Sequence, residues 1–271
     1  MPTPNSLITA VDRDYLWLQI RDLPYFRGLL RAVEARFYEQ IDLPTPVLDL
    51  GCGDGDFAQT NFDRAPDVGL DPWTGPLGKA AKLDFYPKLI QGDGAQMPFE
   101  DGHFASVLSN SVLEHIPHLD EVLAETARVT RVGGTFAFCV PNHQFNPNLS
   151  IAQFFDRLGL TGLAGKYRRL YDWFARHIHL ESPEQWTARL EKAGFQVERY
   201  WHYFSPQALH ALEWGHYFGL PSLLIHAVTR RWIIAPTHAN LRITERYTRK
   251  FYDEPIATED GVCTFYIARR V

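Results

Sequence analysis

Between Pro24 and Pro44 the apolar residues Phe26, Leu29, Leu30, Val33 and Phe37 recur at helical spacing, which gathers them into one stripe along a single helix. Pro44 and Pro46 bound that helix on its C-terminal side. The period then shortens. Apolar runs at 47–50, 68–71, 89–91, 104–108 and 135–140 read as short buried strands. Helical patterns separate them: one follows the glycines at 51–55 and extends to about Arg64, and another carries Leu119, Val122, Leu123, Thr126 and Ala127. Strand and helix in alternation predict a parallel sheet covered by helices on both faces, hence an α/β fold.

Beyond Pro141 the rhythm changes, because 145–176 is aromatic-rich and helix-patterned without an obvious strand. Ser182 as N-cap, Pro183 at the first helical position and Gly194 past the last frame a further helix. Residues 195–203 resume a strand, 206–252 insert a second aromatic helical stretch, and 262–267 alternate as a final strand. The expected organisation is an N-terminal helical segment over 1–43 and a main domain over 44–271, with cap insertions at about 145–180 and 206–252. Phe154, Phe155, Tyr167, Tyr171, Trp173 and Phe174 in the first cap, with Trp214, Tyr217 and Phe218 in the second, are expected to roof an apolar cavity.

A hydrophobic share of 45% over 271 residues is enough to bury a sizeable core, so disorder is excluded. The formal net charge of -5 argues against a nucleic-acid partner, since phosphate binding needs a basic surface. Cys52, Cys139 and Cys263 stand far apart without zinc-ligand or disulfide spacing, which fits a reducing, cytoplasmic setting and no metal. Asp12, Arg13 and Asp14 interrupt the start of the chain before a signal peptide's apolar core develops. The apolar stretch 219–236 is broken by His226, Arg230 and Arg231 and does not read as a membrane span. Lys166, Arg168, Arg169, Arg230 and Arg231 leave a peripheral contact with anionic lipid headgroups as an expectation.

The strongest chemical signal is the run Leu48-Asp49-Leu50-Gly51-Cys52-Gly53-Asp54-Gly55-Asp56. Glycines between a strand and a helix let the backbone approach a ligand at the carboxyl edge of the sheet. A dinucleotide fingerprint would need its third glycine where Asp56 stands, which disfavours a nicotinamide oxidoreductase. The run resembles the class I S-adenosylmethionine-dependent methyltransferases, in particular the small-molecule branch similar to ubiquinone and menaquinone methyltransferases. Met97-Pro98-Phe99, Leu113-Glu114-His115-Ile116 and the segment from Glu125 through Arg128 to Gly133-Gly134 look like later blocks of that family.

The resemblance implies a Rossmann-like doubly wound sheet, mostly parallel, with an antiparallel final strand, and S-adenosyl-L-methionine as cofactor. It implies that Asp49, Gly51, Cys52, Gly53 and Gly55 hold the methionine part. Asp71, 20 residues after Gly51, would bind the ribose, with Pro72 beside it and Trp73 against the adenine. Asp93, Gly94 and Ala95 would meet the adenine amino group, and Ser109 completes the set. Ala105 departs from relatives that carry Asp there, at a position that starts a strand rather than facing the cofactor.

Ser109-Asn110-Ser111-Val112 is not the Pro-Pro-aromatic block of base methyltransferases, which disfavours nucleic-acid methylation, and the aromatic caps make a small, largely apolar or aromatic molecule, methylated on O, C or N, the expected acceptor. His115, His143 and His179 are the candidate general bases, being placed after strands or before a helix at the ligand-binding edge. His177 and His179, read as a strand-like pair around Ile178, are expected on one side of the chain. The alternative is a catalytically silent protein that binds the cofactor and regulates.

Overall fold

Among the residues described by the computed structural model, 7–8 and 13–271, seven strands form one sheet. Residues 1–6 and 9–12 of the expected N-terminal segment lie outside the described residues. The strands are β1 (Val47–Leu50), β2 (Val68–Asp71), β3 (Leu89–Gln91), β4 (Phe104–Asn110), β5 (Thr130–Pro141), β6 (Phe195–Tyr203) and β7 (Cys263–Arg270). Their order is β3-β2-β1-β4-β5-β7-β6. The first five pair in parallel, and β7 inserts antiparallel between β5 and β6. The order reverses direction between β1 and β4, and beyond the carboxyl ends of such neighbouring strands an open α/β sheet leaves a crevice.

Period-two alternation sorts each strand's side chains between two cores. On one face Leu48, Leu50, Leu70, Val107, Phe136 and Phe138 pack with α5 (Leu119–Val129) and α8 (Pro183–Ala193). On the other, Val47, Leu108, Ala137, Cys139 and Phe265 pack under α1 (Tyr15–Ile20) and α2 (Tyr25–Tyr38). Buried Leu29, Val33 and Phe37 give α2 the predicted apolar stripe, so the N-terminal helices share the core of the main domain. Short helices α3 (Asp56–Asn61) and α4 (Thr74–Leu83) connect the first three strands.

Three boundaries differ from the sequence reading. The N-terminal helix ends at Tyr38, well before Pro44. The helix after the glycines ends at Asn61, whose side-chain amide turns back to donate to the Phe57 carbonyl. β5 begins at Thr130, opposite Phe104, and the ladder then shifts register so that Thr135 faces Ser106. Gly133, at φ 76°, lies within that irregularity, where periodicity gives no strand signal.

The caps comprise α6 (Ser150–Arg157) and α7 (Thr161–Ala175), then α9 (Pro206–Phe218), α10 (Leu220–Thr229) and α11 (His238–Tyr252). Glu213, fully buried on α9, accepts from the Ser150 amide and hydroxyl, the Ile151 amide and the Tyr167 hydroxyl. One carboxylate from the second cap thus satisfies the free N–H groups at the start of α6 in the first.

Candidate active site

The bend after β1 is fixed by the neighbouring strand. The amides of Gly51 and Cys52 both donate to the Leu70 carbonyl, at 2.8 and 3.1 Å. Gly51 holds φ at +80°, and a Cβ there would stand 2.5 Å from Val112 Cγ1, so no larger residue fits. Gly53 holds φ at +58° for a different purpose: its amide donates to Asp71 Oδ2 at 3.0 Å, and a Cβ would meet nothing within 4 Å. The turn therefore presents bare backbone to open space.

Three carboxylates surround that backbone. Asp49 is buried at the end of β1 and accepts from the Tyr86 hydroxyl. Burial pushes its carboxyl up to about 7, against that hydrogen bond and with help from the charge of Asp71. Asp71, at the end of β2, also accepts from the Trp73 amide at 2.9 Å. Asp93, after β3, accepts on one oxygen from the Ala95 amide at 2.9 Å and pairs with His118 Nε2 at 3.0 Å. Those two contacts, the amide first, hold its carboxyl below the usual range.

A single cavity of about 690 Å³ joins these acids to a wall of different character. Arg27, Leu30, Arg31 and Glu34 line it from α2, with Asn110 at the end of β4, Ser111 and Val112 after it, and His115, Ala175 and Arg176 beyond them. Glu34 accepts from Asn110 Nδ2 at 2.7 Å, the Ser111 hydroxyl at 3.0 Å and the Tyr203 hydroxyl at 2.8 Å. Burial still raises its carboxyl, the three donors acting in the opposite direction. Burial, and then the charge of Arg31, lowers the Arg27 guanidinium from its ordinary value, with Asp54 and Asp56 acting in the opposite direction.

A family profile described as Methyltransferase domain matches residues 48–138, which span β1 to β5 and every carboxylate around the turn. Residues 48–138 are an S-adenosylmethionine-dependent methyltransferase domain. The chain is 30% identical over 118 residues to malonyl-[acyl-carrier protein] O-methyltransferase of Legionella pneumophila, covering 40% of this chain and 42% of that protein. It is 27% identical over 175 residues to demethylmenaquinone methyltransferase of Staphylococcus aureus, covering 56% and 68%. The matched stretch spans less than half the length of the malonyl-carrier enzyme and of the sterol methyltransferases it also matches. In fold it is similar to geranyl diphosphate C-methyltransferase of Streptomyces coelicolor, with a TM-score of 0.53, 14% identity and coverage of 100% of this chain and 87% of that one.

The methyltransferase domain's own geometry fits the cofactor. Gly53 leaves the space a side chain would fill, and the Asp71 and Asp93 carboxylates face the same cavity from adjacent strand ends. Of the residues singled out from the sequence, Asp49, Gly51, Cys52, Gly53, Asp71, Pro72, Trp73, Asp93, Gly94 and His115 line that cavity. Five do not. A Cβ on Gly55 would press on Ala80, Leu83 and Tyr86, so this glycine permits close packing of the turn on α4. Ala95 donates its amide to Asp93 and so orients a lining residue. Ser109 is buried, its hydroxyl donating to the Leu50 carbonyl and joining β4 to β1.

His143 and His179 are also corrected. His143 is exposed on the turn after β5 and does not line the cavity. His179 spends Nε2 on the Ile116 carbonyl at 2.9 Å and Nδ1 on Glu181 at 3.2 Å, holding its loop behind the cavity wall. Residues 177–182 form no strand, so His177 and His179 do not pair: His177 stacks on His115 with ring centroids 5.9 Å apart. Burial drives His177 down to about 3.

The cap aromatics do not roof the cavity either. Tyr167 and Tyr217 join hydroxyls between the caps, Tyr171 is buried, and Phe154, Trp173, Trp214 and Phe218 are exposed. What the sequence reading missed is α2, whose Arg27, Arg31 and Glu34 share one helical side. The available signal was a glutamate set among Ala32, Val33 and Ala35.

Proposed function

We propose that this protein transfers a methyl group from S-adenosyl-L-methionine to oxygen, carbon or nitrogen of a small, largely apolar acceptor held between the glycine turn and α2. The observation that carries the reading is the cavity itself, acidic where the turn offers backbone and lined as well by the apolar side chains of Leu30, Val112 and Ile116. When bound, the cofactor supplies an activated methyl carbon on a sulfonium, so the protein's work is orientation and exclusion of water. In this reading Asp71 holds the ribose, Asp93 takes the adenine amine, and Asp49 sets the charge beneath the turn.

For an acceptor that loses a proton, we assign His115 to receive it. Its Nδ1 lies 2.9 Å from the Arg176 carbonyl, and a proton held there leaves Nε2 as the basic nitrogen. Burial lowers His115 below the usual imidazole range, which keeps it neutral near pH 7. The relatives bear names of unlike acceptors, a malonyl-[acyl-carrier protein] and demethylmenaquinone, so they support methyl transfer without choosing one.

The test is incubation with methyl-labelled cofactor and a panel of phenols, quinones, sterols, fatty acyl compounds and amines, with product mass read out. Enzyme-like turnover on any acceptor supports the reading. Tight cofactor binding by calorimetry with no transfer across the panel would favour the catalytically silent alternative.

A further inference from the structure

We propose that the two caps together form a docking surface for an anionic lipid bilayer, with α10 as the inserted element. α10 has no buried residue: Leu220, Leu223, Leu224 and Val228 make a stripe at helical spacing that is 52 to 84% exposed. Phe218 and Ile234 extend it on either side, at 71 and 60%. Phe154 on α6 and Leu158 just past its end add exposed apolar surface, α6 being the helix that Glu213 binds to α9. Trp214 Nε1 donates to the Ser150 hydroxyl, which puts the start of α6 beside the exposed end of α9.

The charge around this surface selects the occupant. From Trp214 to Thr244 the chain has no carboxylate, and from Arg157 to Tyr171 it again has none, within a protein of net charge -5. The cations of those stretches, Arg157, Lys166, Arg169, Arg230, Arg231 and Arg242, are exposed. Arg168, expected with them, is instead engaged with Asp156 and the Asn146 carbonyl. Apolar side chains flanked by cations complement an acyl layer beneath anionic headgroups. A symmetric contact with a second copy would oppose the same patch to itself, cations against cations with no carboxylate to pair.

This surface reaches the cavity. Trp232, in the connection between α10 and α11, lies under the Arg27 guanidinium at 5.9 Å, and Arg27 lines the cavity. A bilayer against α10 would therefore be separated from the cavity by the side chains of Trp232 and Arg27.

Flotation of the full chain with phosphatidylcholine vesicles, with and without 40% phosphatidylglycerol, tests the proposal independently of methyl transfer. The protein is expected to float with the anionic vesicles and not with the zwitterionic ones. Arg230→Glu with Arg231→Glu should weaken binding roughly tenfold or more. Leu224→Glu on α10 and Leu158→Glu at the end of α6 should each reduce it, while Lys88→Glu, at the β3 edge, should not. All five positions are at the surface, and a melting curve verifies that each variant folds. No flotation with anionic vesicles, or equal loss with Lys88→Glu, overturns the proposal. So does a dimer, seen by light scattering and dissolved by Leu224→Glu, in a protein that does not float.

Discussion

Gly53 and Asp71 are joined across two strands: the glycine amide donates 3.0 Å to the carboxylate that closes β2. Asp71 is thus both a proposed ligand of the cofactor and the acceptor that shapes the turn. Asp71→Ala removes both roles and is expected to lower affinity for S-adenosylhomocysteine about 100-fold, since hydrogen bonds to a charged group contribute about 1.5–3 kcal/mol each. Asp71→Asn keeps one acceptor oxygen for the Gly53 amide and should lose less affinity and less melting temperature. Calorimetry and thermal melts on the two variants separate the roles. Equal affinity for wild type and Asp71→Ala would remove Asp71 from the cofactor site.

The two glycines of the turn should respond differently to the same substitution. Gly51→Ala forces a methyl group to 2.5 Å from Val112 in a left-handed conformation, so it is expected to cost about 2–4 kcal/mol of stability and to displace the turn. Gly53→Ala has open space and should cost only about 1–2 kcal/mol of backbone strain. Its methyl group stands where the turn offers bare backbone, so cofactor affinity should fall further than stability does. Urea unfolding paired with calorimetry measures both quantities.

Much of this site was legible because its chemistry is local. The bounds of β1, β2 and β3 follow from short apolar runs, and Asp49, Asp71 and Asp93 stand at or just past their ends. What was not legible depends on contacts far apart in sequence. α2 reads as a core helix from its apolar stripe, and nothing local says that its other flank turns Arg27, Arg31 and Glu34 toward residues after β4. The histidines failed for a related reason: position after a strand end does not fix direction, and His179 turns to the Ile116 carbonyl. The cap aromatics share composition but divide between packing around Glu213 and exposure, a division set by which helix lies alongside.

Asp49 predicts a pH dependence with a definite sign. Its carboxyl is raised to about 7 in the folded protein from an ordinary value of 3.8, so the native state holds a proton that the unfolded chain has released. The stability this contributes is complete below the unfolded value and is lost as pH rises through about 7. Glu114, raised by burial to about 8, acts with the same sign slightly higher. Without ligand, the melting temperature should therefore fall between pH 6 and 8, and Asp49→Asn should reduce the fall. A sulfonium favours the ionised carboxylate, so affinity for S-adenosylmethionine should rise over that interval relative to uncharged-sulfur S-adenosylhomocysteine. Parallel titrations at pH 6 and 8 test this, and an unchanged ratio would detach Asp49 from the sulfur.

The histidines give the sharpest test of the transfer step. His115 borders the cavity, whereas His143 is exposed elsewhere and His179 is bound on both nitrogens. With an acceptor that must lose a proton, His115→Asn is expected to lower kcat about 100-fold or more while leaving cofactor affinity within twofold. His143→Ala should leave kcat unchanged. His179→Ala should cost about 1–2 kcal/mol of stability for two lost hydrogen bonds, with a smaller effect on turnover than His115→Asn. The pH profile adds a readout that packing alone would not move. A base must be unprotonated, so activity should rise with pH through the His115 value and level off above it. Burial depresses that value, which places the rising limb below the ordinary imidazole range near 6.5. In His115→Asn the limb should disappear along with the rate. A limb that persists unchanged in that variant would assign the proton to another group, and Glu34, the buried carboxylate on the same cavity wall, would be the next residue to replace.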